Sequence, residues 1–515
     1  MRPPAALAVA AANALGRVSG LARDIIFAQV FGAGAVSDAF NAAFRVPQLL
    51  RELFAEGSLQ NVVVPAFAES VEKDGIDAAW KLANAVLGVL MVALGLATVG
   101  FFVGAELWVR LIANDFAQDA PKFALTVSLT RYLSPFLMGL SLAAFLGGLL
   151  NVRGRFFVPA MAQNVMNLGV IAACLAVGPG ADQLPTGPGV PPIAWVALAT
   201  TLSGFVQVAL CVPPLLATGY RPLPSLRGHP ALRRLGGFFA TAMVGIVTVQ
   251  FNLLVESQWA ASFGDGVLTW LLGSFRLVQL PLALFAGSIA TAMLPALAAT
   301  LARRDEAEGG DILAEALRTH AFLVLPSAAG LFVLAEPLVR LFYERGAFMP
   351  DDTVGTANML RMYALACFGI CFHRLVVPAY YALGNPRFPM WLSVGAMLAK
   401  VPVVLLLTRG LGMGAEALPL SHALTVSGEC VGLAAGLHAL LGGRGLLGFH
   451  LRSLVATAVL AAIAYALRDR VPVLLAVAVS GMAYLVAARL LRAWSLPRRG
   501  PPPPPPGSLP APSGV

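Results

Sequence analysis

From Leu82 to Phe102 the chain reads LANAVLGVLMVALGLATVGFF, 21 residues with no charged side chain. As an α-helix this stretch is roughly 30 Å long, the thickness of a bilayer's hydrocarbon core. Inside hydrocarbon every backbone N–H and C=O needs a protein partner, so a spanning chain is either helical or a closed barrel. Barrel strands alternate apolar and polar residues, and this run does not. Similar stretches recur, parted by polar or Gly/Pro-rich breaks, near 5–30, 38–68, 82–105, 123–150, 158–178, 192–217, 235–262, 267–300, 319–342, 354–383, 389–408, 415–441, 449–467 and 471–493. They predict an all-α polytopic membrane protein of about 14 transmembrane helices.

Composition agrees. Hydrophobic residues make up 58% of the chain and charged ones 12%, against roughly 45–50% and about 25% in soluble domains. The five cysteines, Cys174, Cys211, Cys367, Cys371 and Cys430, all fall in apolar spans and read as reduced packing residues. Cys367 and Cys371 share a helix face, but no histidine or carboxylate cluster joins them to make a metal site.

The net charge of +9 would suit nucleic acid, but the cations are sorted by topology instead. With both termini cytoplasmic, nineteen of the 35 Lys and Arg fall in cytoplasmic segments and seven, Lys122 among them, on the opposite side. That asymmetry satisfies the positive-inside rule. Nine more lie within spans: Arg17, Arg23, Arg45, Arg51, Arg131, Arg276, Arg361, Arg374 and Lys400. Facing lipid at about 2.5–3.5 kcal/mol each, they would together cost on the order of 25 kcal/mol, so they must face water, protein or substrate. Snorkelling to the interface explains Arg131, Arg361 and Arg374 as well as a functional role does. The first two spans carry Arg17, Arg23, Asp24, Arg45, Arg51, Glu52 and Glu56, and a polar cavity is the economical reading.

The chain also repeats itself. FRVPQLLRELFAEGS (44–58) aligns with FRLVQLPLALFAGS (275–288), and an offset of 230 pairs Arg131 with Arg361, Gly139 with Gly369, Gly154 with Gly384 and Pro159 with Pro389. Six spans fit within the offset. An even number returns the chain to the same side, so the halves are parallel six-helix repeats, the kind of architecture that binds substrate near the midplane and rocks to alternate access. The expected organisation is an N-lobe at 1–217, a C-lobe at 218–441 and a C-terminal helix pair at 442–493. The Pro-rich tail at 494–515 cannot bury a core and is expected to be disordered. The second copy replaces Arg51 and Glu52 with Leu282 and Ala283 and deletes the counterpart of Glu56, so the substrate site is expected to be asymmetric.

GRVSGLARDIIFAQVFGAGAVSDAF (16–40) followed by VPQLLRELFAEGSLQNVVVPAF (46–67) resembles the N-terminal signature of the MviN/MurJ lipid II flippases, in the multidrug/oligosaccharidyl-lipid/polysaccharide exporter superfamily. The resemblance covers nearly the whole chain apart from the proline tail. Because GRVSGLARD belongs to this signature, AALAVAAANALG before it reads as the first span and not as a cleaved leader. The resemblance implies a multi-pass protein of the bacterial inner membrane, both termini cytoplasmic, that moves lipid II between leaflets among membrane lipids, with the cell-wall synthesis machinery as a further partner. It implies substrate-binding roles for Arg17, Arg23, Asp38, Arg51, Glu56 and Arg276. Asp24, Arg45, Glu52 and Gln279 would complete the cavity, and the last two helices would shape a groove for the polyprenyl tail. Arginine suits the task, because its planar, always-charged fork matches pyrophosphate oxygens. Asp38 and Glu56 cannot bind pyrophosphate, so they would orient arginines, contact other headgroup atoms or simply pair locally.

This chain departs from the pattern at several positions. Gly16 stands where many members have Ser, Glu52 where a basic residue often follows Arg51, and Gln279 where some are acidic. Glu256 resembles the acidic position of a sodium site described within the family, and Lys400 its Asn position. Monovalent-cation coupling is one expectation; against it, a Glu256–Lys400 pair would replace the bound sodium, and the alternative to that pair is that the two sit on separate faces and pair elsewhere.

No lysine among the four follows a glycine as a P-loop requires, and the six histidines are not grouped with nucleophiles or metal ligands. An enzyme or a resident cofactor is not expected, and transport would draw on ion gradients, membrane potential or substrate flux. Alternatives are a flippase for another polyprenyl-linked oligosaccharide, a cation-coupled exporter of the same superfamily, or a non-transporting cell-wall scaffold.

Overall fold

The computed structural model describes residues 3–51, 63–185, 189–226, 229–303, 305–438 and 446–494, and every long regular element among them is a helix. In chain order these are α1 (Pro3–Phe31), α2 (Ala35–Arg51), α3 (Val64–Lys73), α4 (Ile76–Val103), α5 (Ala105–Ala113), α6 (Ala120–Leu133), α7 (Phe136–Val152), α8 (Phe157–Ala162), α9 (Asn164–Val177) and α10 (Pro192–Leu216). There follow α11 (Pro230–Ser262), α12 (Val267–Pro281), α13 (Gly287–Ala302), α14 (Glu306–Val333), α15 (Ala335–Phe342), α16 (Pro350–Ala382), α17 (Arg387–Leu405), α18 (Ala417–Gly436), α19 (Leu446–Leu467) and α20 (Val473–Leu490). Apart from Trp494 and its neighbours before it, the proline tail lies outside the described residues.

Local chemistry sets the helix boundaries. Asp119 caps α6 by accepting from the Lys122 backbone N–H, with a proline in the first turn, and Asp305 caps α14 by accepting from that of Glu308. Glu306 and Glu308 add negative charge where the helix dipole is positive. After Pro281, which has no N–H to donate, a single π turn at Leu282–Ala286 carries α12 into α13.

Among the described residues, ten helical segments are long and apolar enough to cross a membrane, against about 14 expected. Helices also occupy the other four stretches, but α1, α2, α11 and α18 are too short or too polar to be counted on apolarity. Those four carry Arg17, Arg23, Asp24, Asp38, Arg45, Glu256 and His422. Ionic groups and weak apolarity thus fall on the same helices.

The 230-residue offset reappears in the helix boundaries. Ile76–Val103 recurs as Glu306–Val333, α5 and α15 begin at Ala105 and Ala335, and Phe157 and Arg387 open α8 and α17. An ion pair recurs with it: Arg131 lies 3.9 Å from Glu106, and Arg361 lies 3.8 Å from Glu336. Gly154 and Gly384 adopt nearly the same positive φ, 75° and 73°.

The described residues pack as two compact units. One comprises Met1–Leu277, Ala335–Tyr363 and Met390–Thr425. Within it α10 lies along α7 and α9, α1 along α9, and α2 along α6. The other comprises Val278–Leu334, Ala364–Pro389 and Val426–Val515, where α14, α19 and α20 pack together around Phe322 and Tyr484. The Tyr484 hydroxyl donates to the Phe322 carbonyl at 2.6 Å.

Candidate functional site

Three ionic clusters lie within the first unit. The first joins α1, α9 and α12. Arg23 donates from Nε and Nη2 to Asp24 Oδ1 at 3.0 and 2.7 Å, and Arg276 Nε sits 3.2 Å from Asp24 Oδ2. The remaining Nη1 of Arg23 donates to Asn167 Oδ1 at 3.1 Å. Asn167 is fixed in turn by donating to Ser19 Oγ at 3.0 Å and to the Gly16 carbonyl at 3.3 Å. Arg23 and Asp24 are largely buried, whereas the Arg276 side chain is 45% exposed. One carboxylate serves two guanidiniums, so the cluster keeps an excess positive charge. Arg17 lies two turns before Asp24 on the same face of α1, is exposed, and has no ion-pair partner among the described residues.

Gly16 follows from the same packing. A Cβ there would lie 2.6 Å from Asn164 Oδ1, and Asn164 is held by donating to the Ala12 carbonyl at 3.2 Å. A serine at position 16 would need Asn164 to move.

The second cluster takes Asp38 away from the arginines. Asp38 is fully buried, and its Oδ1 accepts from the Thr269 N–H and hydroxyl at 3.0 and 2.7 Å. Its Oδ2 accepts from the Gly266 N–H at 2.7 Å and from Lys122 Nζ at 3.2 Å. It therefore acts as an N-terminal cap for α12 supplied from α2. Lys122 also binds Asp265 at 2.6 Å and lies 3.9 Å above the Phe116 ring. Assigned by sequence to a water-facing segment, Lys122 is instead 3% exposed. Its position at the start of a helix, beside a loop, gave no sign of the carboxylates that close over it.

The third cluster surrounds Glu256 on α11. Lys400 Nζ from α17 donates to Glu256 Oε1 at 2.7 Å, and His422 Nδ1 from α18 lies 3.2 Å from the same oxygen. Tyr363 from α16 donates its hydroxyl to Oε2 at 3.1 Å. The Glu256 and Lys400 side chains are almost completely buried. The neighbouring Ser257 Oγ accepts from Arg45 Nε at 3.4 Å, and Arg45 is buried as well. Glu256 and Lys400 are thus brought together as expected. Tyr363 and His422 were missed, although an isolated histidine in the apolar run LPLSHALTV was a usable signal.

Of the other expected cavity residues, Gln279 is exposed, while Glu52, Glu56 and the Arg51 side chain lie outside the described residues. Elsewhere, in the second unit, His373 Nε2 lies 3.2 Å from Glu429. No group of three or more His, Cys, Asp or Glu suited to a metal ion occurs among the described residues.

Charged groups buried among the helices of a multi-pass membrane protein are the kind of feature that marks substrate and ion pathways in transporters. Comparison with known proteins narrows this. The family described as lipid II flippase MurJ matches residues 27–485, and the chain belongs to that family. A lipid II flippase MurJ from Burkholderia cenocepacia is 31% identical over 426 residues, covering 80% of this chain and 81% of the relative. A probable lipid II flippase MurJ from Rhizobium meliloti is 34% identical over 394 residues, covering 76% and 72%. The fold is similar to a solved lipid II flippase MurJ in an inward closed conformation, with a TM-score of 0.78 at 21% identity over 94% of this chain and 98% of that one. It is also similar to an inward-facing multidrug resistance MATE family transporter of the MOP superfamily, with a TM-score of 0.65 at 14% identity over 85% and 95%.

Proposed function

We propose that this protein is a lipid II flippase of the bacterial inner membrane, carrying the undecaprenyl-pyrophosphate-linked peptidoglycan precursor from the cytoplasmic to the outer leaflet by alternating access. The observation that carries the reading is the Arg23–Asp24–Arg276 cluster in a chain of this family. Without substrate, Asp24 occupies both guanidiniums. A pyrophosphate brings more negative charge and more acceptor oxygens than one carboxylate, so it competes for Arg276 and for Arg17, which has no ion-pair partner among the described residues, through charge-assisted, bidentate contacts. The repeat supports two lobes, 1–217 and 218–441, as the parts that move against each other, and the cation asymmetry supports cytoplasmic termini.

The Glu256–Lys400 pair takes the place of the sodium ion that the resemblance puts at this position. There the Lys400 ammonium supplies the charge that a bound metal cation would otherwise bring. Support comes from the 2.7 Å Glu256–Lys400 contact inside helices that cross or adjoin the membrane.

Complementation tests the substrate. In a strain depleted of its own lipid II flippase, the wild-type chain should restore growth and Arg17→Ala, Arg23→Ala and Arg276→Ala should not. Rescue by all three variants would remove the proposed site, and failure of the wild type would count against lipid II.

A further inference from the structure

We propose that Asn167 is the positioning residue of the arginine cluster and sets its preference for an anionic headgroup: the neutral carboxamide fixes the Arg23 guanidinium without cancelling its charge. The inference rests on the lipid II reading above. Asn167 lies on α9, which packs along α1, and its side chain is buried. Its Oδ1 accepts from Arg23 Nη1 at 3.1 Å. Its Nδ2 donates to Ser19 Oγ at 3.0 Å and to the Gly16 carbonyl at 3.3 Å. Turning the amide over would set its NH2 against the guanidinium and its oxygen against the Gly16 carbonyl. The hydrogen-bond network therefore assigns one orientation, with the oxygen toward Arg23.

Arg23 is held along two edges. Nε and Nη2 both donate to Asp24 Oδ1, while Nη1 donates to Asn167. The Nε–Nη2 edge is a fork that matches phosphate oxygens. When pyrophosphate replaces Asp24 there, Asn167 keeps its hold on Nη1, and the guanidinium stays where the fork can be used. Charge explains why an amide and not a carboxylate stands at this position. Arg23 and Arg276 bring two positive charges and Asp24 one negative, so the cluster carries a single excess positive charge. Aspartate at 167 would also accept from Arg23, but it would bring the sum to zero and set its second oxygen against the Gly16 carbonyl. Around largely buried groups water screens weakly, so the added carboxylate would repel an incoming pyrophosphate directly.

The affinity of the full-length chain in detergent for undecaprenyl pyrophosphate tests the proposal. Asn167→Asp should bind about tenfold more weakly than wild type. Adding Asp24→Asn restores the charge balance and should recover most of that loss. A residue that merely joins α9 to α1 gives no such recovery, so an unrecovered double variant, or wild-type affinity in Asn167→Asp, would overturn the proposal. Asn167→Ala tests positioning at unchanged charge, and does so even if the aspartate variant fails to fold. It should weaken binding several-fold with Arg23 present and have no further effect in Arg23→Ala, because Asn167 acts through that guanidinium. Equal losses in the two backgrounds would overturn positioning. Failure of the wild type to bind undecaprenyl pyrophosphate would instead overturn the lipid II reading and this inference with it.

Discussion

Asp24 Oδ2 lies 3.2 Å from Arg276 Nε while Asp24 Oδ1 accepts two hydrogen bonds from Arg23. A single carboxylate thereby holds guanidiniums from two helices that are far apart in the chain. On the proposed function, Asp24 is a placeholder and the arginines are the ligands.

Arg276→Lys keeps the charge but loses the fork. The loss of one charge-assisted hydrogen bond, about 1.5–3 kcal/mol, corresponds to roughly 10- to 150-fold weaker binding. Affinity for undecaprenyl pyrophosphate in detergent measures this directly, and unchanged affinity would count against pyrophosphate recognition by Arg276.

Asp38 should behave differently. Four donors converge on its buried carboxylate, and truncating one partner of a buried pair costs about 3–5 kcal/mol. Asp38→Ala should therefore lower the thermal unfolding midpoint in detergent by several degrees, whether or not substrate is present. A variant as stable as wild type that binds substrate poorly would instead make Asp38 a substrate ligand.

Much of this was legible in the sequence. Apolar runs located the helices, and the 230-residue repeat anticipated helix boundaries that recur at the same offset. Arg23, Asp24 and Arg276 could be named because charge inside a span must find a partner. The identity of that partner was less legible. Asp38 resembled a cavity residue and is a cap for α12, Lys122 looked solvated and is buried between carboxylates, and Asn167 gave no signal at all. Each of these outcomes depends on which helices meet, a property of packing that periodicity along one chain does not encode.

Gly16→Ser tests the explanation for this chain's departure at that position. The new Cβ meets Asn164 Oδ1 at 2.6 Å, and overpacking of this kind typically costs about 1–3 kcal/mol. Asn164→Ala in the same chain removes the obstructing atom, so the double variant should recover part of the loss in unfolding midpoint. Additive losses would place the strain elsewhere.

Lys400→Met leaves Glu256 with no lysine partner in a buried site and should destabilise by about 3–5 kcal/mol. Adding Glu256→Gln removes the stranded charge, so the double variant should unfold closer to wild type than Lys400→Met alone. A double-mutant cycle with no coupling would mean that the 2.7 Å contact contributes little to stability.

The most direct test of the central claim is movement of lipid II itself. With purified chain in liposomes, the fraction of lipid II that becomes accessible from the opposite leaflet should rise well above that of protein-free vesicles, and should return to that background with Arg23→Ala or Arg276→Ala. Translocation by both variants at the wild-type rate would contradict the account.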